Sequence, residues 1–466
     1  MPTLNYSFEE LWGERGEGTS SISLTAGTTY NFLITSSLGA GYLTLETVRN
    51  YDGVTPKNTS GSYTALTNIA SSVISDYIAG FSVPQGFSSF VYTPASNVVG
   101  STLKLRGVGG VILGSGATPP TPITASFRID TTQTSGTATP NNQFLLPLGG
   151  STPPNFTINW GDGTSDVITS DAQPEVLHTY ASPGEYFVEI TSGVITNWRF
   201  QGVGDAVKLM EIYDWSKWNL NFAGAFDGCN NLVSSATNVP TISSTSLSST
   251  FRDCYLFNGP INSWNVSGVT DMNNMFYAAS SFNQPLNSWV VENVGNMSYM
   301  FAAASSFNQP LDSWDVSSVT NMSHMFQLAQ TFNQPLNSWN VSIVDNMFAM
   351  FNAAEAFNQP LNNWNVSSVT NMESMFYGTY VIFNQNIGSW DVSSVTNLYQ
   401  FLAFATPLTF STTNLNAIYN GWSLLIVQPN LTISFGTANY TAAGATGRAI
   451  LDNAPNNWTI VDGGQV

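Results

Sequence analysis

The sequence predicts a mainly β protein whose central part is a solenoid of 25-residue repeats. Three observations predict it: a fixed tryptophan interval, a phenylalanine interval in step with it, and a composition rich in uncharged polar residues. Trp264, Trp289, Trp314, Trp339 and Trp364 lie 25 residues apart, and Trp390 follows after 26, so one residue is inserted near Gly378–Val381. The phenylalanines at the same interval are Phe226, Phe251, Phe276, Phe301, Phe326, Phe351 and Phe376. Units this short bury their apolar residues only by stacking.

Changes in composition divide the chain into five predicted segments. Residues 1–108 form an N-terminal β module, because SISLTAGTTYNFLITSS, GYLTLETVRNY and STLKLRGVGG read as strands bounded by turn residues. Residues 109–123 are a Gly/Pro-rich linker, and residues 124–202 are a small β-sandwich. Residues 203–410 are the solenoid, and residues 411–466 are a C-terminal α/β cap with two helices and a closing strand.

Each repeat combines two apolar patterns. The stretch from Trp314 to Val316 alternates, which predicts a short strand. Met322, Met325, Phe326 and Ala329 are spaced as in one helical or 3₁₀ turn. The tryptophans hold a large apolar position in every repeat, which favours a place in the core. The alternative is a solvent-exposed aromatic stripe suited to sugar rings or apolar partners.

The repeat units resemble a known family. The segment NQPLNSWNVSSVTNMESMF is similar to the BspA-type leucine-rich repeats of bacterial surface proteins, and FDGC and FRDC are similar to an element of that group. The resemblance covers roughly Ala206 to Phe410, and the tail resembles the segments that close such arrays. It implies a right-handed leucine-rich-repeat-like solenoid used for adhesion, with no catalytic residues.

A second resemblance lies in the predicted sandwich. The motif WGDGT followed by HTYASPGEYFVEI resembles the PKD-type immunoglobulin-like domain. Asp162 and His178 belong to these motifs. We interpret them as a turn aspartate and a strand-edge histidine that hold a loop, because fold resemblance supplies no chemistry.

The ionisable residues limit the function. Only 9% of residues are charged, and the net charge is -18, which argues against binding a nucleic-acid phosphate backbone. No apolar run is long enough to cross a membrane. Two histidines and no catalytic motif predict a non-enzyme with no cofactor and no metal. Cys229 and Cys254 stand where later repeats have Ala, which predicts buried free thiols.

The candidate binding face consists of polar residues beside the tryptophans. Two residues before each Trp stand Asn262, Asn287, Asp312, Asn337 and Asn362. Directly after a Trp stand Asn265, Asp315, Asn340, Asn365 and Asp391. These side chains could line a binding surface, or they could hydrogen-bond one another between coils.

Two functions remain. The first is a phage virion structural protein, such as a fibre, spike or head-decoration subunit at the virion surface. It would join other virion proteins through residues 1–108 as a homo-oligomer and bind a host surface protein or glycan. The alternative is an extracellular adhesin on a cell surface. The start of the chain has no signal-peptide pattern, which favours a phage protein released by lysis.

Overall fold

The computed structural model describes residues 3–7, 17–24, 30–36, 41–46, 61–65, 71–72, 80–83, 86–94, 98–107, 125–150, 152–378 and 382–466. The predicted linker 109–123 and part of the predicted insertion near Gly378–Val381 lie outside these residues. The chain divides into two compact units, Met1–Thr124 and Ala125–Val466. As predicted, the described fold is mainly β with few helices.

The described part of the first unit contains nine strands in two sheets. The strands are β1 (Thr3–Ser7), β2 (Glu17–Leu24), β3 (Tyr30–Ser36), β4 (Gly41–Glu46), β5 (Gly61–Ala65), β6 (Ser71–Ser72), β7 (Gly80–Val83), β8 (Gly86–Pro94) and β9 (Val98–Gly107). One sheet has the order β1-β3-β8-β5, and the other has the order β2-β9-β4-β7-β6. Strands β1 and β3 are parallel, whereas β2, β9, β4 and β7 pair antiparallel. The three segments expected to carry strands do so.

The second unit begins with strands that pair antiparallel and continues into the first repeats, whose strands pair parallel. They are β10 (Phe127–Asp130), β11 (Gln143–Leu145), β12 (Asn155–Asn159), β13 (Ser165–Ile168), β14 (Leu177–Thr179), β15 (Glu185–Val194), β16 (Leu209–Ile212), β17 (Asn219–Leu220), β18 (Val233–Ser234) and β19 (Thr241–Ile242). A six-stranded sheet has the order β13-β12-β15-β10-β16-β18, and β11 pairs with β14. Because β10 pairs with both β15 and β16, this sheet runs without interruption across the predicted boundary at residue 202.

The repeats stack one on another through parallel contacts at 25-residue intervals. Asp271, Asn296, Asn321, Asn346 and Asn371 form successive parallel bridges, and Asn397 follows after 26 residues. The expected strand at Trp314–Val316 is wrong, because this stretch and its equivalents are turns and irregular backbone. Side-chain packing between coils, rather than a strand ladder, accounts for the alternation seen there.

The segment from Met272 to Ala279, and its equivalent in each later coil, is a series of turns rather than a helix. Within the coil, Met275 N–H donates to the Met272 carbonyl and Ala279 N–H to the Phe276 carbonyl. Tyr277 N–H likewise donates to Asn274, whereas the N–H groups that alternate with these point to the next coil, as in the bond from Phe276 to the Met300 carbonyl at 2.9 Å. The prediction of a helical turn was therefore wrong, although the i to i+3 spacing that suggested it is present.

The N–H groups of the turn segment can bond in turn to their own coil and to the next one only if residues at two positions per coil adopt the left-handed conformation. Gly224 and Gly228 occupy them in the first repeat, with φ of 70° and 79°. In later coils they are occupied by Ser249, Asp253, Asn274, Ala278, Tyr299, Ala303, His324, Leu328, Ala349, Ala353, Ser374 and Gln400, with φ between 52° and 58°. A left-handed conformation costs a residue with a Cβ atom about 1–2 kcal/mol. The hydrogen bonds between coils and the core beneath them offset this cost.

The tryptophans form one buried column, as expected for core residues. Trp264, Trp289, Trp314, Trp339, Trp364 and Trp390 are 1–3% exposed. The rings of Trp289 and Trp314 are parallel at 6.5 Å. From Trp289 onward each indole N–H donates to a main-chain carbonyl of the preceding coil, as Trp339 does to Leu311 at 2.9 Å. The exposed-stripe alternative is wrong, because the column is covered and its polar edge is satisfied.

Two phenylalanine columns complete the core. The first contains Phe226, Phe251, Phe276, Phe301, Phe326, Phe351 and Phe376, with ring centroids 5.6–5.7 Å apart. The second contains Phe257, Phe282, Phe307, Phe332, Phe357 and Phe383, at 5.9–6.2 Å. Cys229 and Cys254 are free and fully buried, as predicted, and the Cys254 thiol donates to the Phe226 carbonyl. Burial raises the pKa of both thiols.

The tail continues the stack. It contains α1 (Thr412–Trp422), β20 (Thr432–Ser434), α2 (Ala442–Asp452) and β21 (Thr459–Val461), so the two expected helices and the closing strand are present. Leu398 bridges to Ile433 of β20, and β20 pairs parallel with β21. Helix α1 approaches the last coil so closely that a Cβ atom on Gly421 would overlap the Gly388 carbonyl oxygen. Only glycine permits that contact.

We expect Trp339→Ala to lower the free energy of unfolding by about 3–5 kcal/mol, because it leaves a cavity in the core and removes the indole donor to the Leu311 carbonyl. Denaturant melts would measure the change. The control in the same coil is Ile343→Ala, since Ile343 is 47% exposed and its loss should cost under about 0.5 kcal/mol. Equal small losses for both variants would contradict the buried column.

We expect Ala303→Gly to raise the free energy of unfolding by about 0.5–1 kcal/mol, because Ala303 has φ of 57° and glycine adopts that conformation without strain. Ala304→Gly is the matched control. Ala304 is fully buried with an ordinary φ, so losing its methyl group should lower stability by about 1 kcal/mol. Thermal melts in which both variants change the free energy of unfolding in the same direction would contradict the left-handed conformation of Ala303.

Candidate functional site

The candidate binding face lies at the surface of the coils, but its members are not equally exposed. Asn287, Asp312, Asn362, Asn265, Asp315, Asn340 and Asn365 are exposed, whereas Asn262, Asn337 and Asp391 are half-buried. The polar atoms of the ten side chains fall into two groups with different partners. The structure thus shows which of the ten side chains hydrogen-bond within the stack and which are available to a ligand. The sequence left both roles open.

The five residues that follow a tryptophan each stabilise a turn. In Asn265, Asp315, Asn340, Asn365 and Asp391, the Oδ1 atom accepts the N–H of the residue two positions later, at 3.0–3.2 Å. This Asx turn needs one oxygen acceptor, which Asn and Asp both supply, and this explains why the two types interchange here. Hydrogen bonds from Ser317 lower the pKa of Asp315.

The five residues that precede a tryptophan by two positions are divided. Asn262 Oδ1 accepts the Ser288 N–H at 3.0 Å, and Asn337 Oδ1 accepts the Asn363 N–H at 2.9 Å, so these two join adjacent coils. The amide of Asn362 donates to Asn363 within its own coil. The side chains of Asn287 and Asp312 make no hydrogen bond with the part of the chain that the structure describes. They are the members of the candidate face whose polar groups are available to a ligand.

A further asparagine ladder joins the coils, and it went unrecognised in the sequence. Its members are Asn258, Asn283, Asn308, Asn333, Asn358 and Asn384, and each Oδ1 atom accepts a main-chain N–H from the following coil at 2.9–3.0 Å. Glutamine amides such as that of Gln334 bond to the same oxygens. The signal was the recurring FNQP segment, whose Asn and Gln are as regular as the tryptophans. This edge is structural.

Asp162 and His178 form a loop-stabilising pair, as the sequence suggested. Asp162 Oδ2 lies 2.9 Å from His178 Nε2, and Oδ1 of the same carboxylate accepts the N–H and hydroxyl of Thr164. The His178 ring stacks on Trp160 with centroids 4.4 Å apart. The hydrogen bonds from Thr164 and His178 hold the pKa of Asp162 below its usual value, although partial burial opposes this shift.

A cavity of about 350 Å³ lies where the loop before β11 meets the first coils. Main chain at Gly202, Gly204 and Gly228 forms part of its wall, and the side chains of Arg252, Asp253 and Tyr255 form another part. Arg252 Nε donates to Asp227 at 2.8 Å while the guanidinium remains 40% exposed. The cavity thus offers a cation, a carboxylate and an aromatic ring to a polar ligand.

A fully buried ion pair fixes the wall of this cavity. Asp205 and Lys208 have no exposed side-chain surface, and Lys208 Nζ lies 3.2 Å from Asp205 Oδ1. Lys208 also donates to the carbonyls of Thr139, Pro140 and Gln143. Burial lowers the pKa of Lys208, although the carboxylate of Asp205 opposes the shift. The pair ties the loop before β11 to the first coil.

No cluster of three or more His, Cys, Asp or Glu residues with metal-binding geometry occurs among the described residues. Within the same part of the chain, no helix combines the length and apolar character needed to cross a membrane.

A known family matches the repeats. Residues 220–330 and 309–415 each match the model of a family described as "Mycoplasma protein of unknown function, DUF285". Together the two matches span less than half of the chain, and they lie within the stacked coils. No curated protein and no solved structure gives a significant match to the chain.

We expect Lys208→Met to lower the free energy of unfolding by about 3–5 kcal/mol, because it leaves Asp205 as an unpaired buried charge and removes the donor to three carbonyls. Calorimetry would measure the loss. Lys217→Met is the control, since Lys217 is partly exposed and makes no ion pair among the described residues. Similar small effects from both substitutions would show that the buried pair does not hold the junction.

Proposed function

We propose that this chain is a non-enzymatic virion structural protein of a phage, such as a fibre, spike or head-decoration subunit. In this proposal it sits at the virion surface and presents its repeats for adhesion to a host surface protein or glycan. The observation that carries the proposal is the stack of coils with a constant buried core and a varied exposed surface. Such stacks form extended binding surfaces.

The finer description of the fold belongs to the same proposal. We interpret residues 203–410 as a BspA-type leucine-rich-repeat solenoid and residues 124–202 as a PKD-like sandwich. The bridge from Leu398 to Ile433 and the close contact of Gly421 with Gly388 support a capping role for residues 411–466. A cap covers the open end of a repeat stack, which would otherwise expose its apolar core.

The division into two units supports separate roles for attachment and binding. Met1–Thr124 has its own two sheets and lacks the repeat, so it suits docking to other virion proteins. Copies arranged around a symmetry axis would form a homo-oligomer and present several repeat stacks together. Multivalent contact then raises the overall affinity even when each stack binds weakly.

The alternative is a cellular surface adhesin of the BspA type that binds host proteins or glycans. The resemblance of the repeats to that group supports it. The proposed binding residues are common to both alternatives, with Asn287 and Asp312 the most available. What distinguishes the two is the role of residues 1–108, since only a virion protein attaches to a phage particle.

We expect a chain lacking residues 1–108 to fold but fail to join the particle, because the second unit has a core of its own. A chain with residues 1–124 alone should still join. Particle incorporation is measured by immunoblot of purified virions after expression of each variant. Normal incorporation of the shortened chain would contradict the anchoring role, and no incorporation of either the full chain or the N-terminal unit would favour the adhesin.

A further inference from the structure

The exposed aromatic residues of the second unit lie on one edge of the coils. We call the exposed side chains of residues 272–280 and of the equivalent segments the turn face. Within the described residues, the aromatic side chains more than a third exposed are Tyr255 at 43%, Tyr399 at 50% and Phe404 at 42%. All three belong to the turn face. Leu328, about half exposed, lies on it as well.

Three partly buried rings on the turn face and the buried ring of His324 contact one another across successive coils. Tyr277 and Tyr299 have centroids 6.3 Å apart. Tyr299 stacks on His324 at 4.1 Å, and His324 meets Phe348 edge-on at 4.5 Å. We call Tyr277, Tyr299, His324 and Phe348 the aromatic row. Tyr255 and the cavity beside Arg252 lie one coil before its start.

The repeat fold does not require aromatic residues at these positions. The position of Tyr299 is held by Asn274, Ala349 and Ser374 in other coils, and all share the left-handed conformation. Tyr299 itself has φ of 58°, which is unfavourable for a bulky side chain. A strained residue that the fold could replace with glycine indicates a role at the surface rather than in the core.

We propose that the aromatic row binds an uncharged linear polysaccharide. Aromatic rings pack against the apolar faces of sugar rings, and a row of rings repeated once per coil suits a polymer of repeated units. The hydroxyls of Tyr277 and Tyr299 make no hydrogen bond with the described part of the chain, so they are available to sugar hydroxyls. This inference rests on the proposed adhesive function, for which it names a ligand class and a surface.

Charge complementarity determines the class of polymer. The chain carries a net charge of -18, and Asp253 and Glu373 lie on the turn face. This field repels anionic glycans and nucleic acids. A protein partner of standard size would cover about 800 Å² of this chain, whereas the row is one or two rings wide. At the near end, Arg252, Asp253 and Tyr255 offer hydrogen-bonding groups to a terminal sugar.

The test is affinity electrophoresis of the full chain in gels containing a soluble polysaccharide. The neutral polymers are hydroxyethyl cellulose, mixed-linkage β-glucan, galactomannan and dextran, and heparin is the anionic control. Tyr299→Gly removes a central ring and relieves backbone strain, so weaker binding cannot be assigned to unfolding. Phe348→Ala is the second variant. Val290→Ala and Ile343→Ala are the controls, because both side chains are about half exposed and lie outside the turn face and the candidate binding face.

We expect at least one neutral polymer to retard the chain and heparin not to do so. Tyr299→Gly and Phe348→Ala should each weaken that binding about tenfold, as expected for loss of a stacking ring. The two control variants should bind normally. Three outcomes would overturn the inference: no retardation by any neutral polymer, unchanged binding in both ring variants, or loss confined to the controls. The proposed virion role is tested separately, because Tyr299→Gly leaves residues 1–108 intact and should join particles normally.

Discussion

The repeat stack depends on how each turn segment divides its N–H groups between its own coil and the next. From Met272 to Ala279 every second N–H closes a turn inside the coil or meets the Asp271 side chain, and the others bond to the following coil. No main-chain donor in this stretch is left without a partner, which a buried segment requires. The arrangement exists only if two residues per coil adopt positive φ, so strain in each coil is the condition for contact with its neighbour.

Regular contact between coils then fixes the side chains beneath. Once adjacent backbones are in register, equivalent residues must stack, and large rings fill such columns without gaps. The tryptophan side chains also depend on this register, because each indole N–H from Trp289 onward donates to a carbonyl of the preceding coil. Trp264 has no such partner for its indole N–H within the described chain. Here Trp215 packs edge-on against both Trp264 and Trp218, at the end of the stack that continues into the sheet of β10 and β16.

Sequence reasoning found the period, the core columns and the helices of the tail, because these follow from spacing and from apolar character. It could not find the turn geometry. Met322, Met325 and Phe326 have the spacing of a helical turn, and the left-handed positions hold His324 and Leu328 rather than glycine. Among these positions, only Gly224, Gly228 and Gly378 carry the usual signal. For the candidate face, exposure was predictable, but the difference between Asn262 and Asn287 was not, because both precede Ser-Trp and both have a serine 26 residues later.

The edges of the coil differ in how much freedom they leave to the sequence. The FNQP edge needs Asn oxygens to join coils, and the edge after each tryptophan needs an Asx acceptor, so polar side chains there are already committed. The turn face needs only a backbone able to adopt positive φ, and its side chains change freely from Asn274 to Tyr299 to Ala349. Specific recognition requires side chains that differ from coil to coil. The side chains on the other edges of the stack are fixed by the hydrogen bonds that they make. The turn face is therefore the edge whose side chains are most free to provide specific recognition.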